Sequence, residues 1–206
     1  MVQEDGLMKL SEIHIQQAAN VFTDAFMEYP LFKYLVENPS SRSIIYPLFF
    51  RLMTKYTVKF GEAYATSENM EGIALWLPAE KADISLWNNL TNGGIDVFLK
   101  AGLMVTYRSM IFTDFASRLH HQLIEGPHIY LFQIGVQRKY RGKGYASKLM
   151  KPILNRADRE NLPIYLETHD QTNIPLYKHF QFEIAEHKTI PGSNVNHWTM
   201  IRPKKY

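Results

Sequence analysis

The apolar positions change their spacing along the chain, and that change divides it. Behind Ser11, which reads as an N-cap, Ile13, Ala18, Val21, Phe22 and Ala25 recur at helical spacing. Tyr29-Pro30 interrupts this helix, because proline disfavours helical geometry in the residue before it. A second helix is predicted over Ile44–Lys59, after Asn38-Pro-Ser-Ser-Arg42. Glu62–Thr66 and Ile73–Leu77 then read as an antiparallel hairpin around Ser67-Glu-Asn-Met-Glu-Gly72. Asp83–Leu90 and Ile95–Ile124 are predicted helices on either side of Asn92-Gly93-Gly94.

The second half alternates regularly. His128–Val136 is an apolar strand, and Gly144–Asn161 is a helix with Ala146, Leu149, Ile153, Leu154 and Ala157 on one side. Ile164–Thr168 is a strand, Thr172–Phe180 a short helix, and Phe182–Ile190 and Val195–Ile201 are strands around Pro191-Gly-Ser-Asn194. Strand, helix and strand in succession predict a parallel pair with a crossover. The last two strands need no crossover and pair antiparallel. The expectation is one α/β domain with a mixed sheet, without repeats or an internal linker.

Composition narrows the class. The chain has 206 residues, 46% hydrophobic and 21% charged, and no cysteine. That length predicts about one domain, with roughly 70% of the unfolded surface buried. Without cysteine there is no disulfide scaffold, thiolate zinc site or cysteine nucleophile. The acidic start Met1-Val-Gln-Glu-Asp-Gly6 lacks the apolar stretch of a secretory signal. The longest apolar runs, Ile73–Leu77 and Ile129–Phe132, fall far short of the ~20 residues of a spanning helix. A soluble cytoplasmic protein, monomer or homodimer, without a membrane partner is expected.

The net charge of +3 is unevenly spread. Within Val136–Glu160, Arg138, Lys139, Arg141, Lys143, Lys148, Lys151, Arg156 and Arg159 face only Asp158 and Glu160. Either a solvated helix face or a local anion site carries such charge, and the neighbouring glycines favour the second. In Ile134-Gly-Val-Gln-Arg-Lys-Tyr-Arg-Gly-Lys-Gly-Tyr-Ala-Ser-Lys-Leu149 a strand ends, a basic loop follows, and two glycines open an amphipathic helix. Amides at a helix start lack intrahelical acceptors, and the helix dipole favours an anion there. Gly142 and Gly144 clear side chains from those amides, while Arg138, Arg141 and Lys143 add charge. A pyrophosphate suits the site. The P-loop pattern fails, because Gly144 follows Lys143 where a hydroxyl belongs. The dinucleotide fingerprint fails at its third glycine, which is Ser147, although Glu167 ends a strand where a ribose-binding acid would stand.

Arg141-Gly-Lys-Gly144-Tyr-Ala146 fits the coenzyme A pattern [QR]-x-x-G-x-[GA], and with its surroundings the chain resembles the GNAT N-acetyltransferase superfamily. Those surroundings are Leu131-Phe-Gln-Ile-Gly-Val136, Leu162-Pro-Ile-Tyr-Leu-Glu-Thr168, Asn173-Ile-Pro-Leu-Tyr177 and Phe180-Gln-Phe182. Lys151-Pro-Ile-Leu154, Ala157-Asp158 and Tyr165-Leu-Glu-Thr168 are similar to the puromycin-acetyltransferase-like branch of small-molecule acetyltransferases. The likeness spans roughly Gly126–Ile201, with a weaker echo in Asp24–Phe32 and Ala74–Pro78; residues 83–124 resemble nothing specific and are expected to wall an acceptor site. Two departures stand out. Gln181 replaces the family's glycine after the short helix, at a cost of ~1 kcal/mol if left-handed geometry persists. Pro152, inside the helix after the loop, is expected to kink it.

The resemblance implies a GNAT fold whose parallel strands splay, acetyl-CoA as co-substrate, no metal, and transfer to the amine of a small molecule. It implies that backbone groups of Ile134 and Val136 hold the pantetheine arm and that Arg141, Gly142, Lys143, Gly144, Tyr145 and Ala146 hold the diphosphate. Asn173 matches the position contacting the coenzyme, and Tyr177 the tyrosine that serves as general acid. Taken alone, Tyr177 reads first as a core aromatic beside Leu176 and Phe180, but Asn173 on the same helix face one turn earlier favours the functional role. Glu167 is a candidate base or a local cap; Glu28 either holds a cationic amine or is a solvated surface acid. His128 and His169 are strand-end residues or proton relays, and Trp76 and Trp87 either pack the core or line the acceptor site. His120-His121 cannot both face one metal from a helix, and no nucleophile elbow or nucleic-acid stacking platform is present. Two rivals remain: a non-catalytic acyl-CoA-binding or sensing protein, and acyl transfer to a protein amino terminus or lysine.

Overall fold

A computed structural model describes residues 6–83 and 95–205, with side chains omitted for 95–97. The predicted helix Asp83–Leu90 beyond its first residue, Trp87 and the break at 92–94 lie outside the described residues. Seven strands form one sheet in the order β1-β2-β3-β4-β5-β7-β6. They are β1 (Met8–Lys9), β2 (Glu62–Ala65), β3 (Gly72–Pro78), β4 (Ile129–Val136), β5 (Ile164–Thr168), β6 (Glu183–Thr189) and β7 (Asn196–Arg202). Only β4 and β5 run parallel; every other neighbour is antiparallel. This is the mixed sheet the strand–helix–strand pattern predicts.

Helices cover both faces. One face carries α1 (Ile15–Phe26), α2 (Pro30–Leu35), α3 (Pro39–Phe60) and α4 (Ile95–Leu123), packed on Ala63, Ala65, Ile73 and Leu75. The other carries α5 (Tyr145–Glu160) and α6 (Ile174–His179), packed on Ala74, Trp76, Leu131, Leu166 and Met200. Strand alternation sends Ile73 and Leu75 one way and Ala74 and Trp76 the other. No described helix is long and apolar enough to cross a membrane.

Several boundaries differ from expectation, each for a local reason. Ile13 is 86% exposed, because residues 12–14 form a 3₁₀ turn before α1 begins and the helical phase starts later. α3 starts at Pro39, not Ile44: the Asn38 side chain accepts from Ser40 N (3.0 Å), and Pro39 occupies the first helical position, where its missing N–H costs nothing. α4 is broken at Gly102 (φ 79, ψ 173), so the predicted continuous helix is two segments. α5 runs from Tyr145 to Glu160 around Pro152 and is assigned without interruption. Gln181 takes φ 67, the left-handed geometry anticipated for it.

Candidate active site

The β4–β5 ladder is short. It pairs Ile129 with Ile164, Tyr130 with Tyr165 and Leu131 with Leu166, and then stops. On its other side β4 carries a bulge: Leu75 pairs with Gln133 while Trp76 pairs with Leu131, leaving Phe132 as the extra residue. A bulge bends its strand and steepens the twist. β4 therefore turns away from β5, and its edge from Phe132 to Val136, including Ile134, has no β5 partner. Glu167 and Thr168 continue in β5, paired only with β7. Unpaired ladder groups beside such a gap need a ligand or water to satisfy them.

The loop after β4 is held from two sides. Gln137 donates from its backbone to Glu71 O (2.9 Å) and from its side chain to Met70 O (2.8 Å), fixing it to the hairpin turn. Asp24 on α1 accepts from Arg138 N (2.7 Å) and Nε (2.9 Å), and Arg141 donates to Ala25 O at the end of the same helix. Burial raises the Asp24 carboxyl, but the Arg138 hydrogen bonds and charge outweigh it and hold the group below its usual range. Arg138 and Arg141 thus also brace the loop against α1. Lys143 remains exposed, its Nζ 5.6 Å from the Tyr140 ring centre.

Beyond Arg141 the backbone is open. Among the described residues, no protein acceptor pairs with the N–H groups from Gly142 to Ser147; the next, Lys148 N, reaches Gly144 O at 3.0 Å. Gly142 (φ 74) and Gly144 (φ 80) are left-handed, and a Cβ on either would meet nothing within 4 Å. Both conditions for an anion cradle are present: convergent orphan donors at a helix N-terminus, and space before them. The amides of Gly142, Lys143, Gly144, Tyr145 and Ala146 thus suit a diphosphate.

Titratable groups gather where the ladder ends. Tyr177 on α6 is 5% exposed, with its ring 6.0 Å from that of Phe182 on the α5/α6 face. Burial, and then Tyr29 nearby, push its hydroxyl well above the ordinary tyrosine range, so it stays protonated at neutral pH. Asn173, one turn earlier, donates to Thr168 Oγ1 (3.2 Å) at the end of β5. Thr168 Oγ1 also meets the Tyr29 hydroxyl at 3.2 Å, and Tyr29 accepts from His169 N at 2.7 Å.

Glu167 lies on the opposite face. The Tyr165 hydroxyl donates to its Oε1 at 2.8 Å, and the Tyr130 hydroxyl also acts on the same carboxylate. Burial is the dominant influence and raises the Glu167 carboxyl to about 7, against the lowering effect of those two hydroxyls. Asn173 thus meets the end of β5 one residue past Glu167, where Tyr29, a neighbour of Tyr177, is also bonded. The structure does not bring Glu28 or Trp76 there. Glu28 is exposed and bonded to Lys33 (3.2 Å), and Trp76, 1% exposed, packs among the α5-side core with its Nε1 unpaired among the described residues. Trp76 is therefore core packing, not acceptor lining, because alternation along β3 turns it toward α5.

Tyr29 is the residue that sequence reasoning passed over. It was visible only as the residue before Pro30, and its position at the site comes from the approach of α1 to β4. That approach is close: a Cβ on Gly135 would lie 2.9 Å from Phe22 and 3.0 Å from Phe26. Tyr130 and Tyr165 were visible as apolar strand residues but not as partners of Glu167.

Sequence comparison agrees with this geometry. A profile of the acetyltransferase (GNAT) family matches residues 106–182. An uncharacterised N-acetyltransferase of Schizosaccharomyces pombe is 32% identical over 182 residues, covering 81% of this chain and 70% of that protein. The chain belongs to the GNAT acetyltransferase family. It is accordingly an acyltransferase enzyme. Among solved structures, a histone acetyltransferase HPA2-related acetyltransferase from Corynebacterium glutamicum superposes with TM-score 0.69 at 21% identity, over 97% of this chain and 96% of that one. An arylalkylamine N-acetyltransferase 7 from Aedes aegypti, described as putative, gives TM-score 0.64 at 12% identity, over 95% and 85%. At those identities the likeness is one of GNAT fold.

Proposed function

We propose that this GNAT protein transfers the acetyl group of acetyl-CoA to a primary amine of a small molecule by direct attack. The observation that carries the reading is the pair of acid–base groups on opposite sides of the opened β4–β5 gap. Glu167 is on the α4 face and Tyr177 on the α6 face. The amides at 142–146 hold the diphosphate, the free edge at Ile134 and Val136 holds the pantetheine arm, and Asn173 steadies the end of β5 beside it.

The thioester supplies an electrophilic carbonyl and a sulfur leaving group. Glu167, titrating near 7, takes the amine proton as the new C–N bond forms. Tyr177 gives its proton to the departing sulfur, and its raised proton affinity keeps that proton available at neutral pH. α4 walls the acceptor side: its Phe112 ring lies 5.3 Å from His169 and its Phe115 ring 5.1 Å from His197. The arylalkylamine enzyme with the same fold, and the likeness to small-molecule acetyltransferases, support a small amine as acceptor.

Release of free thiol from acetyl-CoA across a panel of small amines tests the reading. Turnover with one or more of them is expected. Tight CoA binding without turnover on any acceptor would overturn it in favour of a non-catalytic acyl-CoA sensor. Turnover confined to peptide amines would make the protein a protein acetyltransferase.

A further inference from the structure

One side chain passes through the opening that β4 and β5 leave between them. The Tyr29 ring packs in the α1-side core, 5.0 Å from the Phe26 ring and 6.2 Å from that of Phe32. Its hydroxyl bonds Thr168 Oγ1 at 3.2 Å. Thr168 follows Leu166 at the alternation interval of β5, so the two side chains share the α5/α6 face, and Asn173 reaches Thr168 from just before α6. A tyrosine rooted in one face is thus bonded to a side chain of the other. An unbroken β4–β5 ladder would bar that path, but the ladder ends at Leu131 and Leu166.

The hydrogen-bond roles around Tyr29 agree at every link. The Tyr29 oxygen accepts from His169 N–H at 2.7 Å, which leaves its own hydrogen for Thr168 Oγ1. Burial pushes the Tyr29 hydroxyl up to about 12, so that hydrogen stays in place at neutral pH. Thr168 Oγ1 accepts from Tyr29 and from Asn173 Nδ2 (3.2 Å), and its hydrogen is directed to Asp170 O at 3.4 Å. Asp170 caps the turn before α6: its Oδ1 accepts from Thr172 N at 3.0 Å and from Thr172 Oγ1 at 2.7 Å. Thr168 is 0% exposed and His169 6% exposed, so bulk water does not replace a partner lost here.

The same stretch of chain holds the other wall of the gap. Gly135 on β4 lies so close to α1 that a Cβ there would fall 2.9 Å from Phe22 and 3.0 Å from Phe26. Asp24 and Ala25 hold the loop after β4 through Arg138 and Arg141. Beyond Leu131 and Leu166 no ladder bond fixes the distance between β4 and β5, so whatever bridges them sets it. We propose that Tyr29 is a positioning residue: its hydroxyl pins the free end of β5 to the α1–α2 turn, and residues 24–29 thereby brace the two walls of the gap at a fixed spacing. Glu167, the neighbour of Thr168 in β5, and the start of α6, through Asn173, are held by the same bond. The effect on acetyl transfer rests on the proposed reaction; the pinning does not.

Tyr29→Phe keeps the ring and its packing and removes only the hydroxyl. Three readings are taken: amide hydrogen exchange at His169 in the free protein, CoA affinity by isothermal titration, and kcat and KM with an amine that the enzyme acetylates. The His169 amide loses its acceptor and should exchange about 5-fold faster or more. kcat should fall by about 10-fold or more, while CoA affinity and the KM for acetyl-CoA stay within about 2-fold, because Asp24 and Ala25 brace the cradle separately. Thr168→Val breaks the same bond from its other end and should lower kcat in the same way. The double variant should be no slower than the slower single one. Unchanged exchange at His169 in Tyr29→Phe overturns the inference, and so do losses in kcat that multiply in the double variant. Faster exchange with unaltered kcat, or with an equal loss of CoA affinity, removes Tyr29 from any positioning role. If Tyr29→Phe does not fold, Thr168→Val is read alone for His169 exchange and for the split between kcat and KM. A wild type that acetylates no amine sinks the proposed reaction but not the pinning, which the His169 exchange then decides by itself.

Discussion

Replacing Glu167 by Gln separates two consequences of burying a carboxylate beside a reaction centre. Its carboxyl titrates near 7 in the fold against an ordinary 4.5. The native state therefore binds this proton more tightly than the unfolded chain, and stability falls as pH rises from about 4.5 to about 7. Below that window both states are protonated and the group is neutral to stability; above it the full cost of holding a buried charge is present. At 1.36 kcal/mol for each tenfold step, that cost is about 3 kcal/mol. Gln keeps the shape and an acceptor oxygen for Tyr165 but never ionises. Glu167→Gln should thus come within about 1 kcal/mol of the wild type at pH 5 and exceed it by up to about 3 kcal/mol at pH 8, on the order of 5–10 °C in Tm for a chain of this size. Its turnover should fall by about 10²-fold or more, because the amine proton loses its acceptor. Denaturant or thermal melts at the two pH values, run beside thiol-release assays, measure both. A stability difference that does not change between pH 5 and pH 8 would refute the buried-charge argument. Unaltered turnover would refute the assignment of the base.

Tyr177→Phe should lower turnover by about 10²-fold with CoA affinity intact; an unchanged rate would remove Tyr177 from the mechanism. Gly144→Val forces a β-branched residue into φ 80, and its side chain enters the space in front of the amides. Gly192→Val, at φ 72 and also with open space around it, carries similar backbone strain away from the loop. Isothermal titration should therefore find CoA binding at least ~10-fold weaker in the first variant and unchanged in the second; equal affinities would contradict the cradle. Gln181→Gly relieves a non-glycine φ of 67 and should raise stability by about 1 kcal/mol in denaturant melts, with no effect on CoA binding.

What could be read from the chain divides along a physical line. Local chemistry was legible: Pro30 and Asn38-Pro39 punctuate the helices, the hairpin and the β4–α5–β5 crossover follow from spacing, and Gly142 and Gly144 mark the loop. Long-range pairing was not. Arg138 and Arg141 read only as loop charge, because the partners they brace against, Asp24 and Ala25 O, lie on a helix far away in sequence. The bulge at Phe132 is a relation between two strands and has no signature in either one. Glu167 was visible as a strand-end acid, but its raised proton affinity comes from burial, which the strand alone does not reveal. The alternation Tyr165-x-Glu167-x-His169 was there to be read; the mostly apolar strand concealed which face it would occupy.

That face assignment governs the proposed chemistry. Glu167 and Tyr177 approach from opposite sides of the sheet, and an intact ladder between β4 and β5 would separate them with backbone. The ladder closes after Leu131 and Leu166, one residue before Glu167, and the bulge at Phe132 keeps it from resuming. An amine entering from the α4 side and a thioester lying along β4 can therefore meet only in this opening. In the proposed reaction, the length of one short parallel ladder, more than the identity of any single side chain, would set where transfer takes place. Side chains that extended the pairing by even one residue would lose the site while leaving the acid, the base and the anion cradle intact.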